Sequence, residues 1–384
     1  MRSDDQGDDD MAEVQGTCEA RFEGVRKALS ASLDSGGDVG ASVAVYLHGE
    51  PVVDIWGGYV DEAKSAPWER DTLTNVWSTT KTMTFLCALM LADRKQLDFH
   101  APVATYWPEF AQGGKQAVEV RHIMGHTAGL SGWDQPIAPE QLADWELCTM
   151  ALAAQTPWWD PGSASGYHAL TQGYLIGEVV RRIVGESIGT WFAREVAKPL
   201  DADFFIGLPE SEDSRVSNVI PPPPLDLDGM EISEITAKTF MNPPLDATMA
   251  TQAWWRQAEI PAANGHGNAR SVAAIQSVIA GKGEARGVRL LSAAGTDPIF
   301  ETQADGIDLV LGVPTRFGMG YGLSNAEMPI GPRSCYWGGY GGSIIVLDQE
   351  AELAVCYVMN RMETGVVGDP RGATIVLEAV AGLA

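Results

Sequence analysis

The 384-residue chain is 45% hydrophobic and carries 51 Asp and Glu against 26 Lys and Arg, a formal net charge of −25. That composition suffices for a large core, and no apolar run reaches the ~18 residues that a membrane span requires. So large an acidic surplus repels nucleic acid and anionic lipid, which bind through Lys and Arg set against phosphate, and neither is an expected partner.

The first fifteen residues, in MRSDDQGDDDMAEVQG, show neither the apolar stretch of a signal peptide nor the Arg-rich character of a transit peptide, and read as a disordered acidic tail. Cys18, Cys87, Cys148, Cys335 and Cys356 are odd in number and include no C-x-x-C pair. They read as reduced thiols and point to the cytoplasm. From Gly40, ASVAVYLHG and VVDIWGGYV flank a His-Gly-Glu-Pro connection and predict an antiparallel hairpin. TMTFLCALMLADRKQL, AVEVRHIMGH, ADWELCTMALAAQ, HALTQGYLIGEVVRRIVG and TWFAREVAKPL then place apolar residues at helical spacing, broken by Gly and Pro. The four-proline run in 220–229 predicts an extended surface loop, since proline continues neither a helix nor a central strand. GGSIIVLD and ELAVCYVMN give a second hairpin signal, and RGATIVLEAVAGLA a C-terminal helix over one face of the sheet. The expected class is α/β (α+β): an antiparallel sheet flanked by helices, built from 16–95 plus 268–384, with a mainly helical domain inserted at 96–267.

One short stretch, NVWSTTKTMTF at 75–85, joins a β-like run to an apolar helix and sets Ser78 and Lys81 three residues apart. On a helix those side chains share a face and can meet. A serine hydroxyl needs a neighbouring base to act as a nucleophile, and a desolvated lysine can be that base because burial disfavours its charged form. The plainer reading is a helix-capping serine followed by a solvated lysine. A competing serine, Ser187 in Gly185-Glu-Ser-Ile-Gly189, matches G-x-S-x-G, but it follows a helical run where that motif needs a strand. It reads as a helix–helix turn.

Two further segments complete a pattern. Asp160-Pro-Gly-Ser-Ala-Ser-Gly-Tyr-His-Ala169 resembles the P-G-x(4)-Y element, and Trp337-Gly-Gly-Tyr-Gly-Gly-Ser343 the third element, of the serine β-lactamase and penicillin-binding-protein superfamily. LDFHAPVATYWPEF, HIMGHTAGLSGW and PAANGHGNARSVAAI resemble its recurring segments in the same order. The resemblance is nearest to the family VIII carboxylesterases. It implies a β-lactamase/D-peptidase-like fold with the active site between sheet domain and helical insert. It implies Ser78 as nucleophile, with Lys81 and Tyr167 sharing base and acid duty, and an oxyanion hole from the backbone N–H groups of Ser78 and Tyr340. Which of Lys81 and Tyr167 takes the serine proton stays open.

The departures favour esters. Ala169 replaces the Asn that holds a lactam amide in the related enzymes, and Trp337 replaces the Lys that attracts the lactam carboxylate, so an uncharged acyl or alcohol group is expected against the indole. Trp337, Gly338, Gly339, His168 and His266 are the expected substrate contacts. A packing role is the alternative for Trp337 and both histidines. His122 and His126 have a metal-ligand spacing without the Glu of a zincin, so no metal is expected, and no cofactor. The expected activity is hydrolysis of small to medium acyl esters through a Ser78 acyl-enzyme. Acyl transfer, D-peptidase, amidase or weak β-lactamase action on the same site are the alternatives, with a non-catalytic binding protein as the reading from another class.

Overall fold

The computed structural model describes residues 13–224, 232–365 and 368–384. Its strands are β1 (Val14–Cys18), β2 (Gly40–Leu47), β3 (Glu50–Gly58), β4 (Thr74–Asn75), β5 (His266–Gly267), β6 (Glu284–Ala285), β7 (Val288–Arg289), β8 (Ala304–Ile307), β9 (Pro314–Phe317), β10 (Gly322–Leu323), β11 (Ser334–Gly338), β12 (Ile344–Asp348) and β13 (Leu353–Met359). Nine of them form one antiparallel sheet in the order β1-β3-β2-β13-β12-β11-β10-β9-β8, so both ends of the chain meet at its centre. The central strands β2 and β13 are buried at every residue. Their continuous apolar runs are what a sheet covered on both faces demands.

The helices are α1 (Glu23–Asp34), α2 (Lys81–Asp93), α3 (Val120–Met124), α4 (Trp145–Ala154), α5 (Thr171–Val184), α6 (Ile188–Phe192), α7 (Glu234–Phe240), α8 (Ala253–Gln257), α9 (Ala269–Ala280) and α10 (Pro370–Ala381). Helices α1 and α10 cover the sheet face that carries Tyr357, and α9 covers the opposite face, where Ser42 accepts from the Ala269 N–H. Helix α2 is buried through Leu91 from its first residue, as KTMTFLCALMLAD, apolar on every side, requires. Helices α3 to α8 occupy the stretch between α2 and α9.

Both predicted hairpins are present as β2–β3 and β12–β13. Val14 and Gln15 are not part of a tail: they pair with Gly57 and Trp56 along the free edge of β3, whose backbone groups would otherwise lack partners. Residues 1–12 of the expected tail, and 225–229 of the expected proline-rich loop, lie outside the described residues; Pro221–Pro224 have no regular structure. No helix among the described residues is long and apolar enough to cross a membrane, and all five cysteines are free.

A buried charge cluster pins α10 to the sheet. The Asp38 carboxylate accepts from Tyr357 Oη and Ser32 Oγ, each at 2.7 Å, and meets Arg371 Nη1 at 3.0 Å, while Asp369 takes the other side of the same guanidinium. Arg371 Nη2 also donates to the Gly341 carbonyl at 2.9 Å, so this cluster reaches the loop after β11. Removing one partner of such a group leaves buried charge uncompensated. Arg371→Met is expected to cost about 3–5 kcal/mol, read as a lowered urea midpoint. A midpoint equal to wild type would show that the cluster does not hold α10.

Candidate active site

The serine turn begins where β4 ends. Trp77 to Thr80 form a 3₁₀ turn that feeds directly into α2, so Ser78 precedes the α-helix rather than lying in its first turn, and its side chain caps nothing. Trp77 holds φ +48°, a left-handed conformation costly for an aromatic residue. Its ring is fixed by Trp255 at 5.4 Å and Tyr340 at 5.5 Å between centroids. Trp255 is locked in turn, its Nε1 donating to Asn75 Oδ1 at 2.8 Å. The strained turn leaves Ser78 8% exposed at the end of a buried helix.

Lys81, one turn on, is 1% exposed and is surrounded by oxygen. Its Nζ lies 3.0 Å from Ser78 Oγ, 2.7 Å from the Ala169 carbonyl and 3.0 Å from the Ala262 carbonyl. No carboxylate among the described residues touches it. The oxygens would suit an ammonium, but burial with no counter-charge is the larger effect and holds the amine well below its ordinary 10.5. A neutral amine satisfies the same geometry: its two N–H bonds point at the two carbonyls, and its lone pair is left for the Ser78 hydroxyl.

Tyr167 closes the group. Its hydroxyl donates to Ser78 Oγ at 2.7 Å, and Lys81 Nζ lies 4.9 Å from its ring centroid. Burial raises the phenol above its ordinary 10; the Ser78 hydrogen bond opposes this and the Asp308 charge adds to it. Tyr167 is therefore a neutral donor. Its loop turns at Gly162, with φ +85°, and is stitched to the segment after α3 by Gly162 N–H to Thr127 O and Gly166 N–H to His126 O. Asp308, in the turn between β8 and β9, fixes the tyrosine itself. Its Oδ1 accepts from the Tyr167 N–H at 3.0 Å and from the Val310 and Leu311 N–H groups at 2.9 Å.

The loop after β11 supplies the remaining wall. Ser343 Oγ donates to the Val76 carbonyl and accepts from Thr79 Oγ1, each at 2.9 Å, which ties this loop to the serine turn. A Cβ at Gly339 would fall 2.4 Å from the Val76 carbonyl and 2.3 Å from Ser343 Oγ, so only glycine permits this approach. The neighbouring Tyr340 N–H and the Ser78 N–H have no acceptor among the described residues. Two unpaired donors beside the Ser78 hydroxyl are what stabilising an oxyanion there would require.

The structure therefore brings together Ser78, Lys81, Tyr167, Gly339 and Tyr340, with Gly338 as the last residue of β11. It places three expected substrate contacts elsewhere. The Trp337 indole is 1% exposed and stacks on His126 at 5.4 Å and 9°, with Phe85 and Phe317 against it, so it backs the site without facing the cleft. His168 is fully buried, its Nε2 accepting from the Leu130 N–H, and burial pushes it down to about 3. His266 is fully buried in β5 and pushed down to about 4, again by burial. Both rings are neutral packing groups, and the expectation that they meet substrate is corrected. His122 and His126 do not share a helix face: α3 ends at Met124, His122 Nδ1 accepts from the Glu119 N–H at its start, and His126 has φ +61°. Ser187 caps α6 and donates to Glu259. Asp308 and the two carbonyls around Lys81 escape a reading of the sequence, because a carbonyl carries no residue signature and Asp308 belongs to no motif.

The chain is similar to known proteins over most of its length. A family model described as Beta-lactamase matches residues 25–379. A Mycobacterium tuberculosis (strain ATCC 25618 / H37Rv) protein named Esterase/beta-lactamase LipL is 35% identical, covering 93% of this chain and 85% of its own. A solved structure described as a family VIII carboxylesterase superposes with a TM-score of 0.92 at 40% identity, over 96% of this chain and all of the other. A penicillin-binding protein homolog from Caulobacter crescentus gives 0.91 at 35% identity, over 96% of this chain and all of the other. With residues 25–379 matched by a family model and 93% of its length by a 35% identical relative, the chain belongs to the beta-lactamase family.

Proposed function

We propose that the protein is a serine hydrolase of carboxylic esters with small to medium acyl groups. The observation that carries this reading is the hydrogen-bonded set Tyr167 Oη, Ser78 Oγ and Lys81 Nζ at 2.7 and 3.0 Å. In it the neutral Lys81 amine takes the Ser78 proton as Oγ attacks the ester carbonyl, and the Ser78 and Tyr340 N–H groups receive the oxyanion. Tyr167 gives its proton to the departing alkoxide, and the Lys81 ammonium makes good the loss. Water then enters by the reverse route and releases the acid from Ser78. The relatives named as esterases support ester over amide substrates. So does the absence of a lysine at Trp337 and of an amide side chain at Ala169. Slow lactam opening is the second reading, favoured by the double name of the mycobacterial relative.

Ser78→Ala is expected to lower hydrolysis of p-nitrophenyl butyrate by at least about a thousandfold, with Ser187→Ala unchanged and nitrocefin a poor substrate of the wild type. Activity kept by Ser78→Ala and lost by Ser187→Ala would reverse the assignment.

The protonation states set the pH dependence. The active base is the uncharged amine, so kcat/KM rises with pH as Lys81 deprotonates, at a value below 10.5. It does not fall again below the ordinary tyrosine value of 10, because burial moves Tyr167 upward. A profile that rises only near 10.5 would contradict the neutral amine.

Gly339→Ala tests the oxyanion hole apart from the base. The added Cβ pushes the loop off the serine turn, and kcat is expected to drop roughly a hundredfold with KM little changed. An unchanged kcat would remove the Tyr340 N–H from the mechanism.

A further inference from the structure

A second cleft, of about 500 Å³, lies between the β2–β3 hairpin, the turn at residues 69–71, the start of α9 and the turn at 197–203. Its lining sets five cations against four carboxylates, Asp54, Asp71, Asp201 and Asp203, a slight cationic surplus in an acidic chain. Arg70, Lys198, Arg215, Arg270 and Arg286 all line it, five of the 26 cationic residues. Their carboxylate partners do not account for all of them. Arg215 is taken by Asp203 and Glu212, while Arg70 and Arg270 share Asp54, with Asp71 also on Arg270. Arg286 donates only to the Leu200 carbonyl, and neither it nor Lys198 has a carboxylate partner among the described residues. Asp201 is the one lining carboxylate without a cation of its own.

The floor of the cleft holds a phenol. Tyr46 is 2% exposed, and its hydroxyl has no hydrogen-bond partner among the described residues. It stands at the register shift between Val45 and Tyr46, where a bulge re-aims a side chain out of the regular ladder. It lines the cleft together with Arg70, Arg270 and Arg286. Burial raises the phenol, which keeps its proton available to an acceptor. Ser271 and Ala274 put the first turn of α9 on the same wall, with its N-terminal dipole favouring negative charge.

We propose that this cleft is a binding site for a multiply charged oxyanion of the phosphate class, held by the Tyr46 hydroxyl, the Arg286 guanidinium and the Lys198 ammonium. A forked guanidinium and an ammonium without carboxylates of their own fit a ligand with several acceptor oxygens and at least two charges. The cleft is wide enough for more than one phosphate group, so pyrophosphate is the appropriate probe. The site is separate from Ser78, Lys81 and Tyr167, none of which lines it.

Isothermal titration of the full chain with inorganic pyrophosphate, at constant ionic strength and without divalent metal, tests the proposal. The expected result is one saturable site, with affinity lowered roughly tenfold in Tyr46→Phe and by at least as much in Arg286→Ala. Tyr46→Phe changes one oxygen in a packed strand, and unchanged ester turnover in it shows that the fold is kept. The proposal is overturned by absence of saturable binding to wild type, or by wild-type affinity in both variants. Citrate binding as tightly as pyrophosphate overturns the phosphate class.

Discussion

The site depends on keeping one amino group dry. Lys81 sits in the first turn of a helix with no polar face, and burying an amine there without a carboxylate is costly unless it sheds its charge. Two main-chain carbonyls, from Ala169 and Ala262, occupy its hydrogens. Those carbonyls come from the tyrosine loop and from the segment before α9, so two stretches of chain distant in sequence close on the same nitrogen. Serine, tyrosine and oxyanion donors are arranged around that point.

The surrounding parts hold the geometry by stiff means. Asp308 grips the backbone of Tyr167, and Ser343 grips that of Val76. Arg371 connects the loop carrying Tyr340 to the buried Asp38 and Asp369 on the far face of the sheet. Trp337, a substrate-binding surface by its place in the motif, presses instead on His126 and lies 6.1 Å from the Tyr167 ring. Its apolar bulk packs behind Tyr167 and brings no charge there.

Much of the scaffold was legible because its signals are local. The two hairpins show as β-rich runs around short turns, and the long helices show apolar spacing ended by Gly. The candidate set of Ser78, Lys81 and Tyr167 showed because Ser-x-x-Lys and P-G-x(4)-Y are constrained at short range, and the structure brings the three together. What stayed hidden was non-local. The pairing of Val14 and Gln15 depends on the free edge of β3, and β8 to β10 are short strands with weak patterns that exist because the sheet extends to them. His168 and His266 illustrate the same limit. Each stands beside a motif residue in sequence, and only the packing decides that each ring turns into the core.

The central claim is that Lys81 is an uncharged amine in the resting protein. Its side-chain Cε resonance in [13C]lysine-labelled protein, assigned by its loss in Lys81→Arg, reports that charge when titrated from about pH 6 upward. A neutral-amine shift reached well below the ordinary lysine value of 10.5 is the expected result. An ammonium shift that persists up to that value would contradict the account.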